Sequence, residues 1–531
     1  MDDRQSAVTV RPGLALLLGI ASLGLLLWVG VKPTLAGINS DAAVYVLLAD
    51  WLSPWRASDI TFGARLFEHY PFPPLYPLLL AALGGGSTQA ALDYSINALL
   101  QAGAVTATWC WARRAGCTTA SAALAALTLV LTPIALFTAM GLFSEPLYLA
   151  VTMTALALVA RRTPTVRAWQ GAALLMGLAA VTRGVGLFAV LALLLAWAWR
   201  TRGRCARSTP LIALAPPLVW MMFKAACGWQ GSYTHNLFGN GLWPVLLGLV
   251  EQVPTNLRAL AYHFVRCFDS LHGQHSALIA ALLLVPAGLT WLRRLRDGEV
   301  DAVYAALYLG VIVLWPYPNH FARFLLVLLP LFGAYAGEGV ATMLRVGGQA
   351  SLARFGPTLV ALLLVLIVLP GLSQVLPGIA RAADADERVQ ARISSWYGHD
   401  SLAEARRATA FSLRVLNVMA ELGQHVPPGA CVSSTMAEIF MLQSRRYSRP
   451  PPSERDPLVS LRRALHDCPY VLLLGATSFP AADFPAYYPA RRLPGELQTL
   501  YRVALDPAEP GAAPLAILAR YRAAPQGAAG H

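Results

Sequence analysis

The feature that most limits how this chain can fold is a succession of long apolar runs separated by short arginine-rich stretches. A bilayer core needs about 20 apolar residues per helix. The run at 13–31, GLALLLGIASLGLLLWVGV, reaches that length. Together the runs predict about eleven transmembrane helices. The other runs lie at 92–112, 118–140, 146–160, 167–182, 184–199, 208–226, 276–292, 301–317, 321–337 and 356–376.

Two apolar stretches need separate interpretation. A signal peptide is the alternative for the first run, because TLAG follows it. Its length and the n-region MDDRQ, which is not clearly basic, favour an uncleaved helix. The stretch PPLYPLLLAALG at 73–84 opens with prolines and is too short to cross, so we interpret it as a re-entrant or interfacial segment.

The charge composition excludes several classes of protein. Charged residues make up only 13% of the chain, against about 25% in a soluble domain, which argues against an ordinary cytosolic enzyme. The high apolar content excludes a disordered chain. The net charge of +13 suggests nucleic acid at first. However, the basic residues cluster between apolar runs, so we expect them to orient the protein in the membrane, and we expect no nucleic-acid partner.

The arginine clusters predict a cytoplasmic N-terminus, since arginine-rich loops face the cytoplasm. The clusters then all lie inside, and the segments left outside are 33–91, 141–145, 227–275, 318–320 and the chain after about 377.

Cys227, Cys267, Cys431 and Cys468 also fall outside, where disulfides persist. The pairs Cys227–Cys267 and Cys431–Cys468 are each either a bridge or two free thiols.

The composition changes after residue 377, where charges return and Pro/Gly turns separate short elements. We predict helices at 403–424, 436–444 and 457–466 and strands at 431–435, 470–477, 497–505 and 515–522. The predicted fold class is therefore a polytopic α-helical membrane protein with a small C-terminal α/β extracytoplasmic domain. The predicted domains are 1–376, with a first outer loop at 33–91 and a long outer loop at 227–275, and 377–531, which we interpret as a binding or structural lid.

Two acidic residues in the outer segments are candidates for chemistry, because charges near a membrane are costly. Residues 41–53 are predicted to form an interfacial helix with Asp41 near its N-terminal end. Asp41 is either a helix N-cap or a general base or metal ligand facing an outer cavity. Glu145 lies between two predicted spans and needs a cation, a metal or a donor group as partner. The alternative interpretation is that Ser144 caps the next helix and Glu145 only occupies its first turn.

Three basic residues near predicted outer helix ends suit an anionic head group such as a phosphate: Arg183, Lys224 and Arg323. Their alternatives are snorkelling to the interface or pairing with the carboxylates. His69, Tyr70 and His320 are candidates for binding substrate, although a lone histidine is more often a structural hydrogen-bonding group.

Four passages, SDAAVYVLLADWL, HYPFPPLYPLLLA, TRGVGL and RFLLVLLPLFG, resemble the GT-C membrane glycosyltransferases. The likeness is to the branch of dolichyl-phosphate-mannose protein mannosyltransferases and bacterial aminoarabinose transferases. Their order and positions fit over roughly residues 13–376. The resemblance implies a multi-pass enzyme of a bacterial plasma (inner) membrane that uses a polyprenyl-phosphate monosaccharide on the outer face.

The resemblance also implies roles for individual residues. Asp41 matches the acidic residue that acts as base or metal ligand, and Glu145 matches the acidic residue of the second outer loop. Arg183 and Arg323 match basic positions near the donor phosphate. A divalent cation, Mg²⁺ or Mn²⁺, held by Asp41 and Glu145 is one expectation, although Ala42 stands where the family commonly has a second carboxylate.

We therefore expect a glycosyltransferase that moves a monosaccharide to an acceptor hydroxyl on a lipid, a polysaccharide or a protein. A single displacement would invert the anomeric centre, while a retaining double displacement stays open. The alternatives are a lipid-linked sugar flippase or transporter and an oligosaccharide polymerase or ligase. A transporter would place ionisable residues near mid-span, whereas here they lie at outer ends.

Overall fold

The computed structural model describes residues 12–32, 35, 38–70, 72–161, 163–203, 206–229, 242–268, 274–315, 318, 321–381, 402–475, 485–505 and 513–522. These residues form two compact units. The helical unit comprises Met1–Lys32, Ala64–Leu80 and Ala91–Ala382, and the mixed unit comprises Pro33–Gly63, Ala81–Ala90 and Ala383–His531. The predicted division of the chain at 376/377 stays a prediction.

Helices account for most of the chain up to residue 381, as the apolar runs predict. Their bounds are α1 Pro12–Gly30, α2 Ser40–Leu52, α3 Gly63–His69, α4 Leu75–Ala82, α5 Ala90–Arg114, α6 Thr119–Leu131, α7 Pro133–Met140, α8 Glu145–Val159, α9 Val166–Ala180, α10 Gly186–Thr201, α11 Thr209–Ala226, α12 Leu242–Phe268, α13 Gln274–Arg296, α14 Val300–Val313, α15 Phe321–Leu326, α16 Leu329–Val346, α17 Ala350–Ala353 and α18 Gly356–Arg381.

Within the described residues, three helices are long and apolar enough to cross a membrane: Pro12–Gly30, Thr209–Ala226 and Ala277–Arg296. The pair α6 and α7, bent by 49°, makes a fourth if it counts as one span. Several other apolar helices are short: α8 has 15 residues, which at 1.5 Å per residue is about 22 Å, less than a bilayer core. These helices support a multi-pass membrane protein, but the predicted count of eleven spans is not confirmed.

Polar side chains of α5 hold the break between α6 and α7. Thr132 precedes Pro133 and is extended, as expected of a residue before proline. The carbonyl of Leu129 lacks a helical donor, because the residue four positions later is Pro133, which has no N–H. Gln101 donates from Nε2 to the carbonyls of Leu129 and Ala135, at 2.8 and 2.9 Å. The Gln101 side chain therefore supplies Leu129 with the hydrogen bond that Pro133 cannot make, and it joins α6 to α7 across the break.

The long outer loop predicted at 227–275 contains a helix, α12, of 27 residues. Pro254 and the charged residues around it interrupt every apolar run there, so no window of 20 apolar residues occurs. The helix is amphipathic instead, and it lies within the helical unit. The segment predicted as an outer loop therefore contains a helix over 242–268, and its place outside the membrane stays a prediction.

The mixed unit contains a small α/β sheet, close to the prediction. Its described elements after residue 401 are α19 Leu402–Gln424, β1 Val432–Ser434, α20 Ala437–Ser444, β2 Ser448–Arg449, α21 Leu458–Asp467, β3 Tyr470–Leu474, β4 Leu497–Ala504 and β5 Pro514–Tyr521. The strand order is β2-β1-β3-β5-β4, parallel on the β2-β1-β3 side and antiparallel beyond it. Leu461, Leu465 and Leu473 belong to a buried cluster on one face of the sheet.

One of the two cysteine pairs is bridged. Cys431 and Cys468 form a disulfide with Cα atoms 4.7 Å apart, so that bridge is confirmed. Cys227 and Cys267 are free thiols, and a bridge between them is wrong. Cys227 is exposed at the end of α11, whereas the Cys267 thiol is buried and donates to the carbonyl of Ala322.

Candidate functional site

Three of the residues singled out in the sequence meet in the helical unit. The Glu145 carboxylate is fully buried. Its Oε2 lies 2.7 Å from Nη1 of Arg183, and its Oε1 lies 2.9 Å from both Nη2 and Nε of Arg323. We call these three residues, with Ser144, the Glu145 cluster. Of the partners expected for Glu145, a cation, a metal or a donor group, the structure shows two cations.

The first turn of α8 places Glu145 in the cluster. Glu145 begins this helix, and Pro146 follows it at a position that needs no backbone N–H donor. Ser144 precedes the helix without capping it through its side chain. Its hydroxyl instead accepts a hydrogen bond of 3.1 Å from Nη1 of Arg183. The predicted position in the first turn is confirmed, while capping by the Ser144 side chain is wrong.

Asn97 of α5 fixes the segment that leads into Glu145. Its side chain is buried, and Nδ2 donates to the carbonyls of Thr138 and Gly141, at 2.9 Å each. Its Oδ1 accepts a hydrogen bond of 3.3 Å from the hydroxyl of Tyr76. These two carbonyls belong to the end of α7 and the residue after it. A single amide therefore holds the backbone from which residues 142–145 continue.

A tight turn between α9 and α10 positions Arg183. The Arg183 amide donates to the carbonyl of Ala179, and the Gly186 amide donates to the carbonyl of Arg183. A Cβ at Gly186 would collide with the backbone of Ala179, so glycine is required where α10 starts against α9. The turn directs the guanidinium of Arg183 into the cluster, where its side chain is 13% exposed.

Arg323 enters from the short helix α15, and its side chain is 14% exposed. Its guanidinium carbon lies 4.3 Å from the ring centroid of Phe143, which precedes Ser144. The Arg183 guanidinium carbon lies 5.7 Å from the ring of Phe324. Each arginine therefore stacks on an aromatic ring that belongs to the segment of another cluster residue, and such cation–π contacts favour the charged, desolvated guanidinium.

The charges of the cluster decide what it can bind. One carboxylate and two guanidinium groups sum to a net charge of +1. Attraction between charges is strong where water is excluded, so the cluster offers a positive centre to an anion. Arginine presents planar donors that match phosphate oxygens. The geometry therefore suits an anionic group better than a cation.

The same geometry argues against Glu145 as a metal ligand. Both carboxylate oxygens contact guanidinium groups, and those groups would repel a divalent ion. Within the described ranges, no three His, Cys, Asp or Glu side chains are grouped to hold a metal. The predicted divalent cation stays untested.

Asp41 belongs to the mixed unit and not to the Glu145 cluster's unit. It lies in the first turn of α2, and its side chain is not the cap of that helix. The cap is Asn39, whose side-chain oxygen accepts from the Ala42 amide at 2.9 Å. The interpretation of Asp41 as an N-cap is therefore wrong. A carboxylate in the first turn remains favourable to the helix dipole.

The remaining candidates lie elsewhere. Lys224 is half-buried in the last turn of α11. His69 ends α3, with Nδ1 3.9 Å from a carboxylate oxygen of Glu68. The ring of Tyr70 stacks on that of Phe72, with centroids 5.9 Å apart. His320 lies outside the described residues. The substrate-binding roles of His69, Tyr70 and His320, and the phosphate-binding role of Lys224, stay predictions.

An apolar cavity of about 850 Å³ lies between α12, α13, α14 and α16 in the helical unit. Leu260, Leu284, Leu309 and Phe332 are among the side chains that line it. Leu325, two residues after Arg323, also lines it. One lining residue of the cavity therefore belongs to the same short helix, α15, as Arg323 of the cluster. Its size and lining suit a hydrocarbon chain.

Solved membrane glycosyltransferases have a similar fold. ArnT from Cupriavidus metallidurans matches with a TM-score of 0.51 in the apo state and 0.53 bound to undecaprenyl phosphate, both at 14% identity, over 96% of this chain and 98% of ArnT. The apo oligosaccharyltransferase from Archaeoglobus fulgidus matches with a TM-score of 0.50 and 12% identity, over 87% of this chain and 70% of that one. Both belong to the GT-C superfamily, so the predicted likeness to that fold is confirmed. No protein-family model and no curated protein matches the sequence.

Proposed function

We propose that the protein is a glycosyltransferase that moves a monosaccharide from a polyprenyl-phosphate-linked donor to an acceptor hydroxyl, with Arg183 and Arg323 binding the donor phosphate. The observation that carries the proposal is the buried, net-positive Glu145 cluster. Its support comes from the fold of the chain, which is similar to that of ArnT, a protein with a structure bound to undecaprenyl phosphate.

The two arginines suit the leaving group of such a reaction. When the bond between the anomeric carbon and the phosphate oxygen breaks, its electron pair stays on the phosphate, which becomes more negative. Fixed guanidinium groups stabilise that developing charge more than the ground state and so lower the barrier. Glu145 orients both arginines before the donor arrives, which reduces the reorganisation that the reaction requires.

Asp41 is the proposed general base. The acceptor hydroxyl oxygen forms the new bond to the anomeric carbon, and its proton passes to the Asp41 carboxylate. In a single displacement the configuration at that carbon inverts. Because the donor is a lipid, we further propose that its prenyl chain occupies the apolar cavity beside α15, which would hold the phosphate near Arg323 without polar contacts to the chain.

The donor site is tested by binding undecaprenyl phosphate to the purified full-length protein in nanodiscs. We expect Arg183→Gln and Arg323→Gln to weaken binding about 10- to 150-fold each, the equivalent of one lost charge-assisted hydrogen bond of about 1.5–3 kcal/mol. In each variant Glu145 keeps the other arginine as partner, so folding should survive. Arg167→Gln, a change of an exposed arginine on α9, is the matched control and should bind like the wild type.

The reaction is tested by sugar transfer from lipid-linked donors extracted from cells. Loss of transfer in Asp41→Asn, with undecaprenyl phosphate binding retained, would support the assigned base. If Arg323→Gln binds undecaprenyl phosphate as tightly as Arg167→Gln does, the Glu145 cluster is not part of the donor site. Binding without any transfer, together with movement of the lipid-linked sugar between leaflets of a vesicle, would favour the flippase alternative.

A further inference from the structure

A second group of charges joins the helix that carries Asp41 to the C-terminal α/β elements, all inside the mixed unit. Asp50 lies in the last turn of α2 and its side chain is only 10% exposed. Two arginines contact it. Nη2 of Arg445 lies 3.2 Å from Oδ2, and Nη2 of Arg56 lies 3.5 Å from Oδ1. A nearly buried carboxylate between two cations is strongly held, because each guanidinium group compensates its charge where water is largely excluded.

Residues 85–87 contact the same three charged side chains through backbone groups and through the Ser87 hydroxyl. The Ser87 amide donates to Oδ1 of Asp50 at 3.1 Å, and the Ser87 hydroxyl accepts from Nη2 of Arg445. Arg56 donates to the carbonyl of Gly85. At Gly86, φ is +140° and a Cβ would collide with Asp50 and Arg56, so this position requires glycine. We call Asp50, Arg56, Ser87 and Arg445 the α2 clasp.

Arg445 adopts the left-handed backbone conformation, which is rare for residues other than glycine. It ends α20 with φ 55°, in the left-handed region where glycine is usual. Its Nε lies 3.4 Å from Asp59, so one guanidinium contacts two acidic residues of the segment around α2. The ring of Tyr447, two residues later, packs on Phe62 at 5.8 Å. The end of α20 therefore contacts α2 itself, through Asp50, and the segment that follows α2, through Asp59 and Phe62.

We propose that Arg445 is a positioning residue: through Asp50, the C-terminal α/β elements fix the orientation of α2 and hence of Asp41. Asp41 and Asp50 lie on one continuous helix, about 14 Å apart along its axis. Because a helix is stiff, a shift of its last turn displaces its first turn. This inference rests on the proposed function, since it assigns Asp41 to the reaction. It gives the C-terminal region a role in catalysis without contact to substrate.

The structural part of the inference is tested without activity, by hydrogen exchange of α2 amides in the full-length protein. We expect Arg445→Ala to speed exchange over residues 42–52 at least 10-fold and to leave the exchange of α8 unchanged. Gly86→Ala perturbs the clasp from the opposite side and should give the same pattern. Arg462→Ala is the matched control, because it removes an exposed arginine paired with Glu496 in the same unit.

The functional part is tested by separating kcat from donor affinity. We expect Arg445→Ala to lower kcat about 10- to 100-fold, as a misplacement near 1 Å does, while the affinity for undecaprenyl phosphate stays within twofold of the wild type. Arg445→Lys keeps the charge but not the planar donors, and we expect an intermediate kcat.

Each outcome bears on the inference. Wild-type exchange of α2 in both Arg445→Ala and Gly86→Ala would overturn it, as would equal losses of kcat and of undecaprenyl phosphate affinity. If Arg445→Ala fails to fold, Gly86→Ala and Arg445→Lys decide the question. If the wild type shows no transfer at all, the proposed function fails, whereas the exchange measurement still tests the α2 clasp.

Discussion

Replacing Asn97 by alanine tests how the backbone before Glu145 is held. The amide of Asn97 donates two hydrogen bonds of 2.9 Å, to the carbonyls of Thr138 and Gly141. Alanine leaves both acceptors without this donor in a buried place. A buried acceptor that loses its partner costs about 1–3 kcal/mol. Allowing for partial relaxation of the α7–α8 connection, we expect a loss of about 2–4 kcal/mol in the free energy of unfolding.

The assay is unfolding of the full-length protein by SDS in mixed micelles, followed by tryptophan fluorescence. The matched control is Ser95→Ala on the same helix, because the Ser95 hydroxyl bonds only within α5, to the carbonyl of Ala91 at 2.7 Å. We expect that control to change stability by less than about 0.5 kcal/mol. Asn97→Ala should also weaken binding of undecaprenyl phosphate, since residues 142–145 carry part of the Glu145 cluster. A stability of Asn97→Ala equal to that of Ser95→Ala would refute this reasoning.

Two further predictions concern bonds that the structure shows directly. Replacing Cys431 and Cys468 by alanine removes a cross-link between residues 37 positions apart, and thermal unfolding should show a loss of about 4 kcal/mol; a change below about 1 kcal/mol would contradict the chain-entropy argument. Glu145→Ala leaves Arg183 and Arg323 buried without their shared carboxylate, and SDS unfolding should show a loss of about 3–5 kcal/mol. A variant as stable as the wild type would show that the cluster does not depend on that charge.

Local patterns predicted the small α/β elements and the helix of Asp41 well. The strand expected at 470–477 is observed as Tyr470–Leu474, and the helix expected at 41–53 is observed as Ser40–Leu52, while its interfacial position stays a prediction. Both follow from signals within the segment itself, an unbroken apolar run in one case and a capped helical start in the other. Of the two interpretations of Asp41, the N-cap is wrong, because Asn39, an equally suitable capping residue two positions earlier, caps the helix.

The cluster could be predicted in part. An acidic residue between apolar helices needs a partner, and Arg183 and Arg323 are among the few basic residues outside the arginine clusters that separate the apolar runs. No local pattern predicts the roles of Asn97 and of the Ser144 hydroxyl. Their hydrogen-bond partners, two backbone carbonyls and the guanidinium of Arg183, are brought near them only by the tertiary fold.

The predicted count of eleven spans is not confirmed, because several apolar helices are too short to cross a bilayer core. At the end of α8 the carbonyls of Ala157 and Val159 accept hydrogen bonds from Arg114 of α5 and Arg200 of α10, and contacts of this kind are not visible in a local sequence pattern.

The mixed unit combines segments from the two ends of the sequence, and this affects how the polypeptide folds during synthesis. Ser87 and Arg445, which hydrogen-bond to each other, are 358 positions apart, so the early partner leaves the ribosome long before the late one exists. Such contacts form slowly and leave surfaces uncovered meanwhile. A fragment beginning after residue 382 would lack the α2 surface on which α20 packs. Truncations at that boundary should therefore yield two incomplete pieces, and co-expression of both halves is the more promising route to a native assembly.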